Sequence, residues 1–246
     1  MMKKLSLKKK DLAYISVILI LLIAIAILSV GLYKANVRKA SWETSEYYRN
    51  KVTSFGIQNT NLSKGQIVFI GDSITDLYPL DDYYADLDLA CYNRGIGGDM
   101  TQGVIDRLQV SIFDLEPSKI VLMIGTNDVD WGVSTETIIS NHRKILEEIK
   151  KKQPTVELFF VSIIPQNKDL EELAGLDVTK NNQTIKYINE EIKKLCVEYG
   201  HTYIDLYPAL LDEDGYLHKD FSDDGLHLNA KGFEVWTSLL KPLLEK

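Results

Sequence analysis

Short apolar runs alternate with amphipathic stretches along most of this chain, from Gln66 to the C-terminus. The apolar runs have the length of buried strands, and the longer stretches repeat apolar residues at the spacing of one helix face. The predicted strands are 66–70, 89–93, 119–124, 156–162 and 202–206, and the predicted helices are 100–110, 135–152, 180–199 and 229–244. Strands and helices that alternate in this way predict an α/β fold, with a parallel sheet covered by helices on both faces.

Polar or glycine-rich segments follow four of the predicted strands. Ser73, the segment 93–99, the segment 125–128 and Pro165 each come just after a strand ends. The carboxyl ends of parallel strands lie at one edge of the sheet, and ligands of open α/β sheets bind there. The four segments are therefore expected to converge on one site.

The N-terminus follows a different pattern. Residues 12–33 are 22 positions without a charge, and they are apolar on every side rather than on one face. At 1.5 Å per residue, a helix of this length spans a hydrocarbon core of about 30 Å. This stretch is predicted to be a transmembrane signal-anchor. A basic cytoplasmic segment, 1–11, precedes it, and a linker, 34–63, leads to a catalytic domain, 64–246.

The lysines around this segment indicate its orientation. Five lysines lie within residues 1–10, and only Lys34, Arg38 and Lys39 follow closely after the apolar run. By the positive-inside rule, the N-terminus stays in the cytoplasm and the domain lies on the extracytoplasmic side of the cell membrane. A cleaved signal peptide, which would release a secreted domain, is the alternative. Small residues at 29–31 would suit cleavage, although the run is long for a signal peptide.

The charge of the chain is unevenly distributed. The chain has 28 Lys and Arg and 35 Asp and Glu, of which the first 39 residues hold eight and one. The remainder therefore has a net charge of −14. So acidic a domain disfavours nucleic acid, anionic lipid and polyanionic wall polymers as partners, and favours neutral substrates.

Cys91 and Cys196 fall in a predicted strand and a predicted helix, as small buried hydrophobes do; the sequence leaves their pairing open.

A serine, a histidine and a carboxylate form the candidate catalytic set. Ser73 stands where a buried strand runs into a turn and a helix, and unpaired N–H groups at such a turn can hold an oxyanion. Asp224 precedes His227 by three residues, so one short loop could place its carboxylate on the imidazole. Asp223 is an alternative to Asp224, and His218 is an alternative to His227. A serine, a histidine and a carboxylate in contact make the serine hydroxyl nucleophilic at neutral pH.

An oxyanion also needs N–H donors. Gly98, in a glycine pair expected to open a helix, offers its backbone amide, and Asn127 offers its side-chain amide. Each residue has an ordinary alternative as a turn residue.

Four short blocks now resemble the SGNH/GDSL esterase and lipase superfamily, in the order that the family shows. The blocks are Gly71-Asp72-Ser73, Asn93-Arg94-Gly95-Ile96-Gly97-Gly98-Asp99, Gly125-Thr126-Asn127-Asp128 and Asp224-Gly225-Leu226-His227. Residues 91–108 are especially similar to the branch of platelet-activating-factor acetylhydrolases. The fold implied by this resemblance is a flavodoxin-like three-layer α/β/α sandwich with a five-stranded parallel sheet.

The resemblance also implies roles. Ser73 would be the nucleophile, His227 the base and Asp224 the group that orients it, while Gly98, Asn127 and the Ser73 amide would hold the oxyanion. No metal or organic cofactor is implied. Ile74 stands where the family name has Leu, which is a like-for-like apolar change.

The expected function is hydrolysis of short-chain acyl esters, chiefly O-acetyl esters of glycans or small molecules, by a membrane-anchored serine esterase outside the cytoplasm. A lysophospholipase or lipase acting at the membrane surface is one alternative. A non-catalytic envelope scaffold on the same fold is another. A metal-dependent hydrolase is disfavoured, because no ligand spacing links Asp81, Asp82 and His218. The oligomeric state is left open.

Overall fold

The computed structural model describes Ile18, residues 20–25 and residues 45–246. Residues 20–25 are helical and belong to the predicted signal-anchor 12–33, most of which lies outside the described residues, as does the basic segment 1–11. Within the described part of the chain, no helix is both long and apolar enough to cross a membrane. The chain divides into two units, Met1–Trp42 and Glu43–Lys246, and the second contains the predicted domain.

Five parallel strands form the sheet, in the order β2-β1-β3-β4-β5. The strands are β1 Ile67–Gly71, β2 Cys91–Gly95, β3 Lys119–Met123, β4 Glu157–Val161 and β5 Thr202–Ile204. The prediction of an α/β fold with five parallel strands is confirmed. This strand order is that of flavodoxin-like sheets, whose ligands bind beside β1 and β3, where the order reverses.

Ten α-helices accompany the sheet between residues 45 and 246. They are α1 Glu46–Asn59, α2 Ser73–Asp76, α3 Leu80–Tyr84, α4 Thr101–Asp106, α5 Leu108–Ser111, α6 Thr126–Asp130, α7 Thr135–Lys152, α8 Leu170–Ala174, α9 Val178–Tyr199 and α10 Ala230–Leu244. Alternate strand residues face opposite layers. Val68 and its neighbours pack with α4, α5, α7 and α9. Phe69 and its neighbours pack with α3 and α10 around the fully buried Trp236.

Local signals account for the ends of the long helices. The Ser134 hydroxyl accepts the N–H of Thr137 at 3.3 Å and caps α7, which begins and ends where the sequence predicts. Asp177 caps α9 by accepting the N–H of Lys180, and Gly200 ends it in the left-handed region, at a φ of 74°.

The predicted helix 100–110 is interrupted at Arg107, which separates α4 from α5 with φ −110° and ψ 10°. The apolar periodicity continues through this position, and therefore the sequence predicts one helix. The structure differs because Arg107 is buried and its guanidinium bonds to three separate segments.

Helix α1 lies inside the stretch 34–63, which the sequence analysis assigned to a linker. It packs on the domain through Tyr48 and Phe55, both of which are buried. Its sequence has no clear apolar face, since Ile57 is exposed while the polar Lys51 bonds to the domain, and this is why the pattern of hydrophobic residues does not reveal it.

The two cysteines are both free thiols. Cys91 lies half-buried in the edge strand β2, and Cys196 is buried in α9. Burial raises the pKa of each thiol to about 12, so neither is a reactive thiolate at neutral pH.

Candidate active site

Ser73 and His227 meet although they are 154 residues apart in the sequence. Ser73 is the first residue of α2, directly beyond β1, and His227 lies in the loop that enters α10. The Oγ atom of Ser73 is 2.8 Å from Nε2 of His227. On the other side of the ring, Nδ1 lies 2.6 Å from Oδ2 of Asp224. The structure therefore brings together the serine, histidine and carboxylate that the sequence singled out.

The loop around Asp224 determines how the imidazole is oriented. Oδ1 of Asp224 accepts the backbone N–H groups of Leu226 at 2.9 Å and His227 at 2.8 Å. Burial alone would raise the pKa of Asp224, but these bonds and the bond from the His227 ring lower it to about 2. The carboxylate is thus ionised at neutral pH and keeps a proton on Nδ1. Nε2 is left to accept the proton of Ser73.

The two alternative residues are engaged elsewhere. Nδ1 of His218 accepts the N–H of Asp220 at 3.0 Å, in a 3-10 turn before the site. Oδ1 of Asp223 accepts the side-chain amide of Asn229 at 3.2 Å. Neither residue takes the position that His227 or Asp224 occupies.

The turn that carries Ser73 is held from both ends. Oδ1 of Asp72 accepts the N–H of Ile74 at 3.0 Å and caps α2. Nδ2 of Asn93, from the second sequence block, donates to the carbonyl of Thr75 at 2.6 Å. The Ser73 hydroxyl is therefore presented by a short helix whose two ends are held in place.

The oxyanion candidates come from two neighbouring strand ends. Gly98 lies half-buried in the turn after β2 with a φ of 79°, which favours glycine, and α4 begins only at Thr101 rather than at the glycine pair. Asn127 lies half-buried in α6, and its Nδ2 donates one hydrogen to the carbonyl of Asp99 at 2.9 Å. Its second amide hydrogen remains for a ligand. Within residues 45–246, the backbone N–H groups of Ser73 and Gly98 donate to no protein acceptor.

Arg107 is a buried residue of the site that the sequence pattern alone does not reveal. It forms an ion pair with Asp99 at 2.8 Å, and it donates to the carbonyls of Arg94 at 2.7 Å and Gly71 at 2.9 Å. One guanidinium thus joins the end of β1, which leads to Ser73, to the loop that carries Gly98. The available signal was an arginine on an otherwise apolar helix face, flanked by Val104 and Leu108.

Two asparagines of α9 hold the segment that leaves β4. Oδ1 and Nδ2 of Asn189 bond to the N–H and carbonyl of Ile163 at 2.9 and 2.8 Å. Asn182 makes the same pair of bonds to Gln166, at 2.9 and 3.0 Å. Each asparagine side chain thus makes the pair of hydrogen bonds that a neighbouring strand would make to this segment. Their spacing of seven residues on a buried helix face was the sequence signal.

The segment held by Asn182 reaches the His227 loop. The N–H of Asn167 donates to the carbonyl of Gly225 at 2.8 Å, and its side chain donates to the carbonyl of Leu217. The position of the imidazole therefore depends on α9 as well as on α10.

Two buried carboxylates flank the site. Burial raises the pKa of Asp72 to about 7, and its Oδ2 has no hydrogen-bond partner among the described residues. Burial also raises the pKa of Asp128 to about 7, against hydrogen bonds from the N–H and hydroxyl of Thr101. Among the described residues, neither carboxylate is hydrogen-bonded to the Ser73 hydroxyl, and both instead hold backbone N–H groups of the framework around the site.

Most of the domain matches one known protein family. Residues 69–235 match the GDSL-like Lipase/Acylhydrolase family, a range that covers more than half of the chain. The range includes Ser73, Gly98, Asn127, Asp224 and His227.

Individual relatives agree with this match. The chain is 27% identical over 183 residues to platelet-activating factor acetylhydrolase IB subunit alpha1 of Rattus norvegicus, with 73% of this chain and 75% of the relative covered. A Streptococcus pneumonia structure described as a platelet activating factor is 26% identical, with a TM-score of 0.76 over 85% of this chain and 98% of the other. An acetyl-xylooligosaccharide esterase from Geobacillus shares the fold, at 18% identity and a TM-score of 0.59, over 75% of this chain and 96% of the other.

Proposed function

This chain belongs to the GDSL-like lipase/acylhydrolase family and is a carboxylic ester hydrolase, and we propose that Ser73, His227 and Asp224 are its catalytic triad. One observation carries this proposal. The Ser73 hydroxyl, the imidazole and the carboxylate stand in line, at 2.8 and 2.6 Å, in an order that allows the proton to move from serine to histidine.

The proposed reaction has two halves. Nε2 of His227 takes the Ser73 proton while Oγ attacks the ester carbonyl carbon, and the carbonyl electron pair moves onto oxygen. The N–H groups of Ser73 and Gly98 and the side-chain amide of Asn127 hold that oxyanion. The electron pair on the oxyanion then re-forms the carbonyl, and the bond between the carbonyl carbon and the alcohol oxygen breaks. The alcohol leaves with the proton from His227, and an acyl-serine remains. Water, deprotonated by the same imidazole, then adds to the acyl carbon; the bond to Ser73 Oγ breaks, the acid is released, and the imidazolium returns its proton to Oγ.

We propose that the substrates are short acyl esters of neutral, hydrophilic alcohols, in particular O-acetylated glycans or small molecules. A cavity of about 320 Å³ borders Asp224 but is not lined by Ser73 or His227, so it lies beside the triad and not at the acyl site. Its walls, which include Asn167, Asp169 and Lys219, suit the hydroxyls of a sugar that extends past the triad better than a lipid chain. The net charge of −14 over the residues after 39 disfavours anionic substrates. The rat relative is named an acetylhydrolase, which agrees with a small acyl group.

We further propose that residues 12–33 anchor the enzyme in the cell membrane, with the domain on the extracytoplasmic side. The support is the sequence: 22 uncharged residues behind a lysine-rich start. Carbonate extraction of cells that express the chain should leave it in the membrane pellet, and protease added outside should digest the domain. A soluble chain shortened to a start near residue 32 would instead show signal-peptide cleavage.

p-Nitrophenyl acetate, butyrate and palmitate test the reaction. The full chain, in a mild detergent, should hydrolyse acetate fastest and palmitate poorly, and Ser73→Ala should abolish turnover. Preference for palmitate would favour a lipase at the membrane surface, an activity that the proposed anchor would suit. Absence of turnover with all three esters and with acetylated xylo-oligosaccharides would favour a scaffold, and loss of turnover in EDTA would favour a metal.

A further inference from the structure

Asp76 joins helix α1 to the helix that carries the nucleophile. It is the last residue of α2, three positions after Ser73. Lys51 places Nζ 2.6 Å from Oδ1 of Asp76, and Tyr47 donates its hydroxyl to Oδ2 at 2.6 Å. The side chains of Lys51 and Asp76 are only 29% and 18% exposed, so this ion pair is better shielded than an ordinary surface pair.

The same carboxylate also holds the loop of the oxyanion site. The N–H of Gly97 donates to Oδ2 of Asp76 at 3.2 Å. A methyl group placed on Gly97 would lie 3.6 Å from the Tyr47 hydroxyl and 3.7 Å from Cβ of Ser73. Gly97 therefore lies between α1 and the nucleophile, and the next residue is Gly98.

We propose that Tyr47, Lys51 and Asp76 form a clasp that positions the Gly98 amide for the oxyanion, so that α1 is a working part of the active site. The inference rests on the proposed function, in which Gly98 is an oxyanion donor. Tyr47 and Lys51 fix the Asp76 carboxylate, and the carboxylate fixes the peptide before Gly98. All three are positioning residues, because they act through the loop.

Two physical effects make this clasp matter for turnover. A displacement of about 1 Å in a catalytic group can lower the rate by about 10². In addition, Asp76 is a negative charge beside the place where the oxyanion forms, and Lys51 neutralises it at 2.6 Å. Loss of Lys51 would therefore both loosen the loop and oppose the developing charge. Burial and the hydrogen bond to Asp76 raise the pKa of Tyr47 to about 12, so its hydroxyl stays a neutral donor.

Other contacts hold α1 on the domain without the clasp. The hydroxyl of Tyr48 donates to the carbonyl of Gly103 at 3.2 Å, and Nδ2 of Asn59 donates to the carbonyl of Val110 at 2.7 Å. Phe55 is buried. Variants of the clasp are therefore expected to fold with α1 in place.

The test compares Lys51→Met, Tyr47→Phe and Asp76→Asn in the full chain, in detergent, with p-nitrophenyl acetate. We expect kcat to fall roughly tenfold for Lys51→Met, which loosens the loop and leaves the charge of Asp76 uncompensated, and about threefold for Tyr47→Phe and Asp76→Asn, which loosen the loop alone, with KM within about twofold. The affinity for a trifluoromethyl ketone, which forms an oxyanion on serine, should fall by the same factors. Lys64→Met and Tyr83→Phe are matched controls, since they remove an exposed ion pair and an exposed tyrosine hydrogen bond elsewhere.

Unchanged kcat in all three variants would overturn the clasp, as would a loss confined to KM or a loss that follows a lowered melting temperature. Hydrogen exchange of the backbone at 95–99 gives a readout that needs no activity. It should accelerate in Asp76→Asn and stay unchanged in the controls; equal exchange would also overturn the clasp. An inactive wild type would refute the proposed function, while exchange still reports on the clasp.

Discussion

Arg107 and Asp99 form an ion pair that is almost completely shielded from solvent. Nε of Arg107 lies 2.8 Å from Oδ2 of Asp99, and the two side chains are 1% and 0% exposed. Asp99 directly follows Gly98 in the loop after β2. Because the guanidinium also bonds the carbonyl of Gly71, the geometry of the turn that carries Ser73 depends on a charge in the interior.

Replacing Arg107 should therefore destabilise the fold strongly. Arg107→Met leaves the Asp99 carboxylate buried without its partner, and we expect a loss of about 3–5 kcal/mol in the free energy of unfolding. Urea denaturation measures it. Lys64→Met, which breaks an ion pair between exposed side chains, should change the midpoint little. Equal effects of the two substitutions would contradict a framework role for Arg107.

Asn127→Ala should damage turnover much more than stability. Loss of one oxyanion donor lowers kcat by about 10²–10³, whereas the lost hydrogen bond to Asp99 is worth about 1 kcal/mol of stability. Steady-state kinetics and urea denaturation of the same sample separate the two. Gln102→Ala, which removes an exposed side-chain hydrogen bond, is the control. Near-normal turnover in Asn127→Ala would remove Asn127 from the mechanism.

The buried carboxylate of Asp72 should make the fold weaker as the pH rises. Burial raises its pKa from 3.8 to about 7, so between these values the native state keeps a proton that the unfolded chain has lost. The stabilisation of the native state by this protonated carboxyl is therefore complete below about pH 4 and is lost as the pH rises through about 7. Asp72→Asn should flatten this fall and stabilise the protein at pH 8 by on the order of 1 kcal/mol or more.

The measurement for Asp72 is the free energy of unfolding across pH 4–8. Asp106→Asn, on the exposed side of α4, is the control and should keep the wild-type slope. An Asp72→Asn protein whose stability falls with pH as steeply as that of the wild type would show that another group titrates. Asp128 would then be examined next, because burial raises its pKa to about 7 as well.

Asn182 and Asn189 offer a matched pair of substitutions. Each holds one backbone position of the segment after β4 with two hydrogen bonds, so Asn182→Ala and Asn189→Ala should each lower stability by about 1–3 kcal/mol. Only Asn182 supports the stretch that bonds Gly225 in the His227 loop. We therefore expect kcat to fall several-fold in Asn182→Ala alone. A similar kcat loss in both variants would indicate a general loosening of the sheet edge.

Much of the fold could be predicted because its signals are local. Strand positions follow from short apolar runs, and their predicted bounds lie within about two residues of the observed ones. Helix α7 begins after the Ser134 cap, keeps one apolar face along its length and ends before Pro154. The bounds of helix α1 could not be predicted, because its sequence lacks such a face and its position depends on Tyr47, Lys51 and the partners they meet across the chain.

The sequence by itself determined how strands and long helices alternate along the chain, the end of β1 at which Ser73 stands, and the short loop that joins Asp224 to His227. Each of these depends on neighbouring residues, whose spacing fixes which face is buried and where a turn begins. Only the tertiary structure decided that Ser73 meets His227, that Arg107 turns inward and that Asp76 ties α1 to the Gly98 loop. These contacts join polar groups far apart in the sequence, and a polar side chain gives no sign of its partner until the packing of the sheet and helices brings the two together.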